Sequence, residues 1–591
     1  MGFHFDKSPV ATGLALFALL CGAAWVRLNG IAWDGFSGYH PDERHMMFLS
    51  MAMFEALRDP AHSALTLGDW WLSEASPLNP HAGSSFLVYG EAPLLIAVAI
   101  GWFSGTTDWF AFLALARSIA AWVDVAAILA VFLGGRALAG NRAGLIVALL
   151  FAVMPTVLQL ANFHTVDVWL GAAVAWALVP MLALATGSRA RKGWGGGMAV
   201  AMTGAAAGAF GGLAVACKVT GVLLVPAGIV ALLLGWRRGG LSGWQAMLAG
   251  GCALVFAMVV FRLANPFAFA GTGVWATGLS PHWLGDFREL AGFTASPDFP
   301  PNWQWIAGYG PLRLLRDVVM FGAGPVASGL FVWLLWHHPR RWGAVLVPLI
   351  ALAAFLVLTA VSQVSALRYV APGLGAMAMA LAPAVAWLGT RAAFATVLMA
   401  LWWGGGAIRL HDGQHPRIAA AHWLWTLPRG TRLTNESAWD EGLPGIVRLT
   451  PQDGFRWPEH DGWFVFHSLA IEQPDSAEKA AKLANTLAQT DFLILSSDRQ
   501  SGVMPRLPER FAMTAAHYAA LESGAACFTQ VLEIDRGYPL PGLRLGDGWA
   551  QEPWRVYDHP RVRIFRRDAC FDETAYAARL RRALTGAQSG Q

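Results

Sequence analysis

Of 591 residues, 55% are apolar and only 14% charged, with 29 tryptophans, where an average soluble domain is about a quarter charged. A net charge of +4 carried on short, scattered arginine clusters excludes a nucleic-acid reader built on one basic face, and the five cysteines show no CxxC or Cys/His spacing that suggests zinc. What remains is a polytopic α-helical membrane protein.

A crossing needs about 20 mostly apolar residues. By that measure eleven spans are expected, over residues 9–28, 117–134, 143–160, 166–185, 198–217, 219–235, 242–264, 318–336, 344–361, 369–388 and 392–408. Arg136 with Arg142, the run 189–192, Arg237 with Arg238, Arg340 with Arg341, and Arg391 fall at alternate boundaries, so all five can be cytoplasmic together. The N-terminus is then inside and everything after Ile408 outside. Residues 92–103 are too short to cross and begin at Ala92-Pro93, which predicts a helix lying in the outer interface. Residues 29–116 thus form one long outer loop and 265–316 a second, the latter carrying Trp303 and Trp305 beside Pro300-Pro301. Residues 1–410 make the transmembrane domain.

From 411 to 591 the periodicity changes to short strand-like runs near 463–466, 492–495 and 562–565, alternating with helical ones such as 476–490, where Ser476 is followed three residues on by Lys479. This predicts a small extracytoplasmic α/β domain with no metal or nucleophile constellation, suited to a structural or acceptor-guiding role. Cys21, Cys217 and Cys252 lie in apolar segments as small core residues. Cys527 and Cys570 lie in the polar part, where they are either joined by an oxidising compartment or left as two thiols.

The densest charge near the start is Tyr39-His40-Pro41-Asp42-Glu43-Arg44-His45. Proline followed by two acids reads as a helix start and equally as a catalytic acid loop, and the two are compatible. The topology gathers Asp42 and Glu43, His164 and Asp167, Lys218, Arg262 and Arg368 at the outer edge of one leaflet. Charges at such positions are costly and call for a functional explanation. Each also has a plainer reading: Asp167 as a second helix N-terminus capped by Thr165, Lys218 and Arg368 as long stems reaching the headgroups. Asp124 falls inside a span and reads as an ion-paired structural acid.

Acids and cations at that level suit a sugar carried on polyprenyl phosphate. A carboxylate accepts the proton of an acceptor hydroxyl, and cations stabilise the departing phosphate. An unperturbed Asp, with a pKa of about 3.9, is ionised at neutral pH, and burial is expected to raise it toward a more useful basicity.

His40-Pro41-Asp42-Glu43, Asn79-Pro80-His81 with Tyr89-Gly90, Arg117, His164-Thr165-Val166-Asp167, Lys218-Val219-Thr220-Gly221, Arg262 with Asn265-Pro266-Phe267, Arg368-Tyr369, Trp439-Asp440 and Tyr557-Asp558-His559-Pro560 follow one another over nearly the whole chain. In this order they resemble the GT-C superfamily of membrane glycosyltransferases, in particular the prokaryotic family 39 group related to protein O-mannosyltransferases and the lipid A aminoarabinose transferase. The resemblance implies inverting transfer from a polyprenyl-phosphate sugar outside the cytoplasm, in a bacterial plasma (inner) membrane with the last domain periplasmic. It implies Asp42 as base or acceptor-orienting group, and Asp167 as the second acid. Glu43 is expected to share the catalytic role, Lys218, Arg368, Arg262 and Arg117 to hold the donor phosphate, and His40, His81, Tyr89, Glu91 and His164 to line the substrate. The chain departs from the eukaryotic protein mannosyltransferases in lacking a β-trefoil insert, so the acceptor, whether protein, lipid or glycan, is not inherited with the resemblance. A divalent metal (Mg or Mn) is left open, since relatives differ in using one. The competing class is a transporter or flippase for a lipid-linked substrate, which usually places polar residues at the midplane of repeated halves; no internal repeat is evident here. A non-catalytic scaffold is a third class, one that needs no acid pair facing cations.

Overall fold

The computed structural model describes residues 9–82, 86–187, 194–306, 308–337, 343–436, 443 and 463–589. The chain forms two compact units, one of Met1–Ile31, His40–Phe293 and Pro311–Ile408, the other of Ala32–Tyr39, Thr294–Gly310 and Arg409–Gln591. Trp439-Asp440 and the basic runs 189–192 and 340–341 lie outside the described residues.

The first unit is helical and multi-pass. Among the described residues eight helices are long and apolar enough to cross a membrane, or nine if one bent pair counts as a span, where the sequence count gave eleven. The differences fall where proline and glycine interrupt apolar runs. Residues 117–134 and 143–160 belong to one stretch, Trp109–Ala152, broken at Ala139 and at Gly140 with its φ of 86°; the latter run then ends before Pro155, which opens a separate short helix, Pro155–Leu160. Residues 318–336 are bent by 118° between Pro311–Gly322 and Pro325–His337, at Gly324 with φ 82°. Residues 369–388 form two short helices, Ala371–Ala380 and Ala382–Trp387.

Small residues let helices approach in the absence of a hydrophobic drive between them. Gly204, Gly208 and Gly212 lie against the backbones of Ala249, Ala253 and Ala257, so near that an added Cβ would stand 2.0–2.3 Å from their carbonyl oxygens. That packs Trp194–Cys217 onto Gly243–Ala264. Asp124 is the structural acid expected: Arg27 Nε reaches it at 2.5 Å and Arg27 Nη2 donates to the Ala152 carbonyl at 3.0 Å, which fastens the first helix, Pro9–Asn29, to the long one. Ala92–Ser104 is a short helix as expected, with Gly101 set close under Phe54 and Phe112.

The second unit is built on a five-stranded mixed sheet. Its strands are β1 Arg432–Glu436, β2 Val465–Leu469, β3 Phe492–Leu495, β4 Phe528–Ile534 and β7 Val562–Arg567, in the order β2-β1-β3-β7-β4, while β5 Tyr538–Leu540 and β6 Leu543–Leu545 form a separate hairpin. β1 is parallel to β2 and β3, and β7 is antiparallel to β3 and β4. Helices Ala477–Ala488, Pro508–Glu522 and Glu573–Ser589 accompany it. Ser476 caps the first of these through Lys479 N, and the buried Lys479 ammonium spends its donors on the Ile471 and Gln473 carbonyls, Asp475 and Thr514. Cys527 and Cys570 are joined, with Cα atoms 5.7 Å apart. Trp303, expected only at a membrane-hugging loop, lies in this unit's core with its ring 4.6 Å from that of Phe511.

Candidate active site

Pro41 fixes the backbone angle that begins helix Pro41–Arg58 and puts Asp42 and Glu43 in its first turn. Neighbouring helical residues point about 100° apart, and the two acids therefore meet different partners. Asp42 Oδ2 accepts from Arg368 Nη1, and the Tyr89 hydroxyl hydrogen-bonds the same carboxylate. Glu43 turns inward, where Arg117 grips it with Nε at 2.9 Å and Nη2 at 2.6 Å and the His164 amide adds a bond at 2.7 Å. The Asp42 and Arg368 side chains are 16% and 20% exposed, whereas Glu43 and Arg117 are 0%. Only the first pair can be reached from outside.

Asp167 occupies the first turn of Val166–Thr186; Thr165 holds the cap position but its side chain makes no capping bond. Asp167 binds Lys218 Nζ at 2.9 Å, the lysine side chain being 14% exposed. Lys218 interrupts two apolar segments, Trp194–Cys217 and Val219–Leu224, in extended conformation. Its ammonium stands 4.4 Å above the ring of Tyr369, and the Arg368 guanidinium lies 5.4 Å from that ring, near enough for cation–π attraction. Tyr89 is 6.0 Å from the same ammonium. Two acid–base pairs, Asp42 with Arg368 and Asp167 with Lys218, thus meet around Tyr89 and Tyr369. Residues separated by more than 300 positions are brought together.

Burial pushes the Asp42 carboxyl up, but Arg368, then His40, the Tyr89 hydroxyl and Lys218 outweigh it and hold the group well below the usual carboxylate range. This corrects the expectation that burial would raise it: the cations win. Tyr89 is driven well above the ordinary phenol value by burial and then by Asp42, which keeps it a donor. His40 packs its ring 4.9 Å from Phe163 and contributes its field to Asp42.

The remaining expected residues lie in supporting networks beside this cluster. His81 Nδ1 bonds Asp286 at 2.6 Å and Nε2 bonds Glu91 at 3.2 Å. Glu91 also accepts from Phe267 N at 2.9 Å, and its own amide donates to Asn265 at 2.7 Å. Burial lowers the His81 imidazole, but Glu91 and Asp286 together raise it above its ordinary value. Arg262 donates to the carbonyls of Pro266 and Gly273 and lies 4.7 Å from the Phe269 ring. The expectation that Arg117 and Arg262 hold a donor phosphate meets an Arg117 sealed with Glu43 and an Arg262 that spends two of its nitrogens on the Pro266 and Gly273 carbonyls. His164 is fully buried, and neither ring nitrogen has a hydrogen-bond partner among the described residues; burial and then Arg117 push it down to about 4, so it is neutral at pH 7.

Gly90 explains how Tyr89 is placed. Its amide donates to the Cys217 carbonyl at 2.9 Å, and a Cβ on it would lie 1.9 Å from the Ala216 carbonyl oxygen, so only glycine lets this turn sit on the helix end that precedes Lys218. Tyr369 and Asp286 were not singled out as site residues by sequence reasoning; the adjacency of Tyr369 to Arg368 was the available signal, while Asp286, within the second outer loop, had none. Among the described residues no three His, Cys, Asp or Glu side chains gather as metal ligands, and Asp42 and Asp167 each face a cation already. That donor set does not fit a divalent metal.

No family model and no curated protein matches the sequence. Solved structures are similar: ArnT from Cupriavidus metallidurans bound to undecaprenyl phosphate, 14% identical with a TM-score of 0.47 over 95% of this chain and 99% of that one, and the Archaeoglobus fulgidus oligosaccharyltransferase tethered with an acceptor peptide, 12% identical with a TM-score of 0.44 over 93% and 88%.

Proposed function

We propose that this multi-pass membrane protein is an inverting glycosyltransferase of the GT-C kind, moving a sugar from polyprenyl phosphate to an acceptor hydroxyl outside the cytoplasm. The observation that carries the reading is the partly open meeting of Asp42, Arg368, Lys218 and Asp167 around two tyrosines, next to apolar helices that suit a lipid tail. Arg368 and Lys218 hold the donor phosphate, Arg368 by a planar fork and Lys218 as a mobile point charge. Asp42 Oδ takes the proton of the acceptor hydroxyl as that oxygen bonds the anomeric carbon on the face opposite the phosphate. The bond from that carbon to the phosphate oxygen breaks with its electron pair left on the phosphate, where the two cations meet the growing charge. Asp167 orients Lys218. Glu43, Arg117, His81, Glu91 and Arg262 position the helices and turns that carry the reacting set. The buried His40 adds its field to Asp42, and His164 holds Glu43 through its backbone amide. The joined Cys527 and Cys570 support an oxidising, extracytoplasmic setting for the second unit.

The test compares glycans and glycolipids by mass spectrometry in a deletion strain complemented with wild type or Asp42→Asn. One sugar addition is expected to vanish on deletion, to return with wild type, and to stay absent with the variant although its membrane level is normal. Full restoration by Asp42→Asn would remove Asp42 from the mechanism.

A further inference from the structure

The cations proposed to hold the donor phosphate are the same ones that neutralise the acids. Arg368 donates to Asp42, and Lys218 holds Asp167 at 2.9 Å. Resting on that reading, we propose that the two pairs are the resting half of a partner exchange. The donor's phosphate draws Arg368 and Lys218 away from Asp42 and Asp167, and Asp42 becomes a proton acceptor only once its guanidinium has left.

Three observations carry this. Lys218 and Arg368 both face the Tyr369 ring, each paired with its acid, so a phosphate reaching either cation is within the field of the other. Arg368, Lys218 and Asp42 are each 14–20% exposed, so the pairs can be entered without unpacking a core, unlike the sealed Glu43–Arg117 pair. And a carboxylate held by Arg368, His40 and Lys218 far below its usual range is a poor proton acceptor in the resting arrangement. A sugar phosphodiester carries one charge and the departing phosphate gains a second, so the pull on both cations grows as the sugar leaves, which is the direction in which catalysis benefits. Without donor, Asp42 stays paired and water in the site is not activated.

The exchange predicts that the acids oppose donor binding. Asp42→Asn and Asp167→Asn, made in the full-length protein in lipid nanodiscs, are each expected to bind undecaprenyl phosphate about tenfold more tightly than wild type, since the competing charge-assisted bond is worth on the order of one tenfold step in affinity. The gain of Asp42→Asn is expected to disappear when Arg368→Met is added, because no guanidinium is left to release. If instead Arg368 serves carboxylate and phosphate at once through different N–H groups, Asp42→Asn binds equally or more weakly, and the proposal is overturned. Should Asp42→Asn fail to reach wild-type thermal stability, Asp42→Ser and the independent Asp167→Asn carry the same comparison. Undecaprenyl phosphate that binds none of these proteins, wild type included, sinks both the exchange and the glycosyltransferase reading; binding to wild type with no tightening in a stably folded Asp42 variant sinks the exchange alone.

Discussion

Asp42 and Glu43 are adjacent acids with different partners, and the helical rotation between them decides which cation each meets. Glu43 is sealed with Arg117 at 0% exposure on both sides, and removing one partner of such a pair leaves an uncompensated buried charge. Glu43→Gln is therefore expected to cost about 3–5 kcal/mol of stability, seen as a lower thermal midpoint of the full-length protein. A midpoint equal to wild type would show that the pair is not structural. The motif itself was legible in sequence, and so were Asp42, Asp167, Lys218 and Arg368 as members of one cluster. The division of labour was not legible: a string of residues shows that charges are near in sequence but not which of them has already found a partner. Sequence thus groups Arg117, Arg262 and Glu43 with Asp42, Asp167, Lys218 and Arg368, although each of the three also has a buried contact.

At the scale of elements, the turn Tyr89-Gly90-Glu91 sets the position of two residues with different partners, Asp42 for Tyr89 and His81 for Glu91. Its fit depends on the missing Cβ of Gly90 against the Ala216 carbonyl. Gly90→Ala must push the turn off the end of helix Trp194–Cys217, carrying Tyr89 from Asp42, and is expected to lower sugar transfer at least tenfold, since small displacements of positioning groups have effects of that order. Transfer at the wild-type rate in membranes containing equal protein would show that the turn's placement does not matter. Hydropathy predicted the helices whose apolar runs are uninterrupted, such as Val166–Thr186 and Gly243–Ala264. Its eleven spans and the eight or nine described differ where Ala139-Gly140, Gly324 with Pro325, and Leu381 ahead of Pro383 bend or divide a run, because a sliding window measures apolar length and is blind to direction.

For the whole molecule, the boundary expected at 411 was drawn from composition, whereas the second unit also takes in Ala32–Tyr39 and Thr294–Gly310. Trp303 shows why: it reads as a membrane-belt tryptophan in sequence but packs into a core whose other members lie more than 150 residues away. This unit also carries a buried cation, His559, which bonds Asp558 and lies 2.9 Å from Asp547. Burial lowers this imidazole, but the two aspartates outweigh it and push it up to about 9 from an ordinary 6.5. A raised folded-state value stabilises fully below the unfolded value and is lost as pH climbs through the folded one. The thermal midpoint of the second unit in the full-length protein is thus expected to fall as pH rises from 6.5 through 9, and His559→Gln to flatten that fall; an unchanged slope in the variant would assign the pH dependence elsewhere.

Glycosyl transfer of the kind proposed requires these distant side chains to act together on a lipid-borne sugar phosphate. It is tested most directly by single-turnover release of polyprenyl phosphate from a panel of polyprenyl-phosphate sugars by the purified full-length protein with membrane extract as acceptor source. Release from at least one donor is expected with wild type and is expected to fall by at least about a thousandfold in Asp42→Asn, within the range a single acid–base group contributes together with its orienting effect. Equal release by wild type and Asp42→Asn, from the same donor, would contradict it.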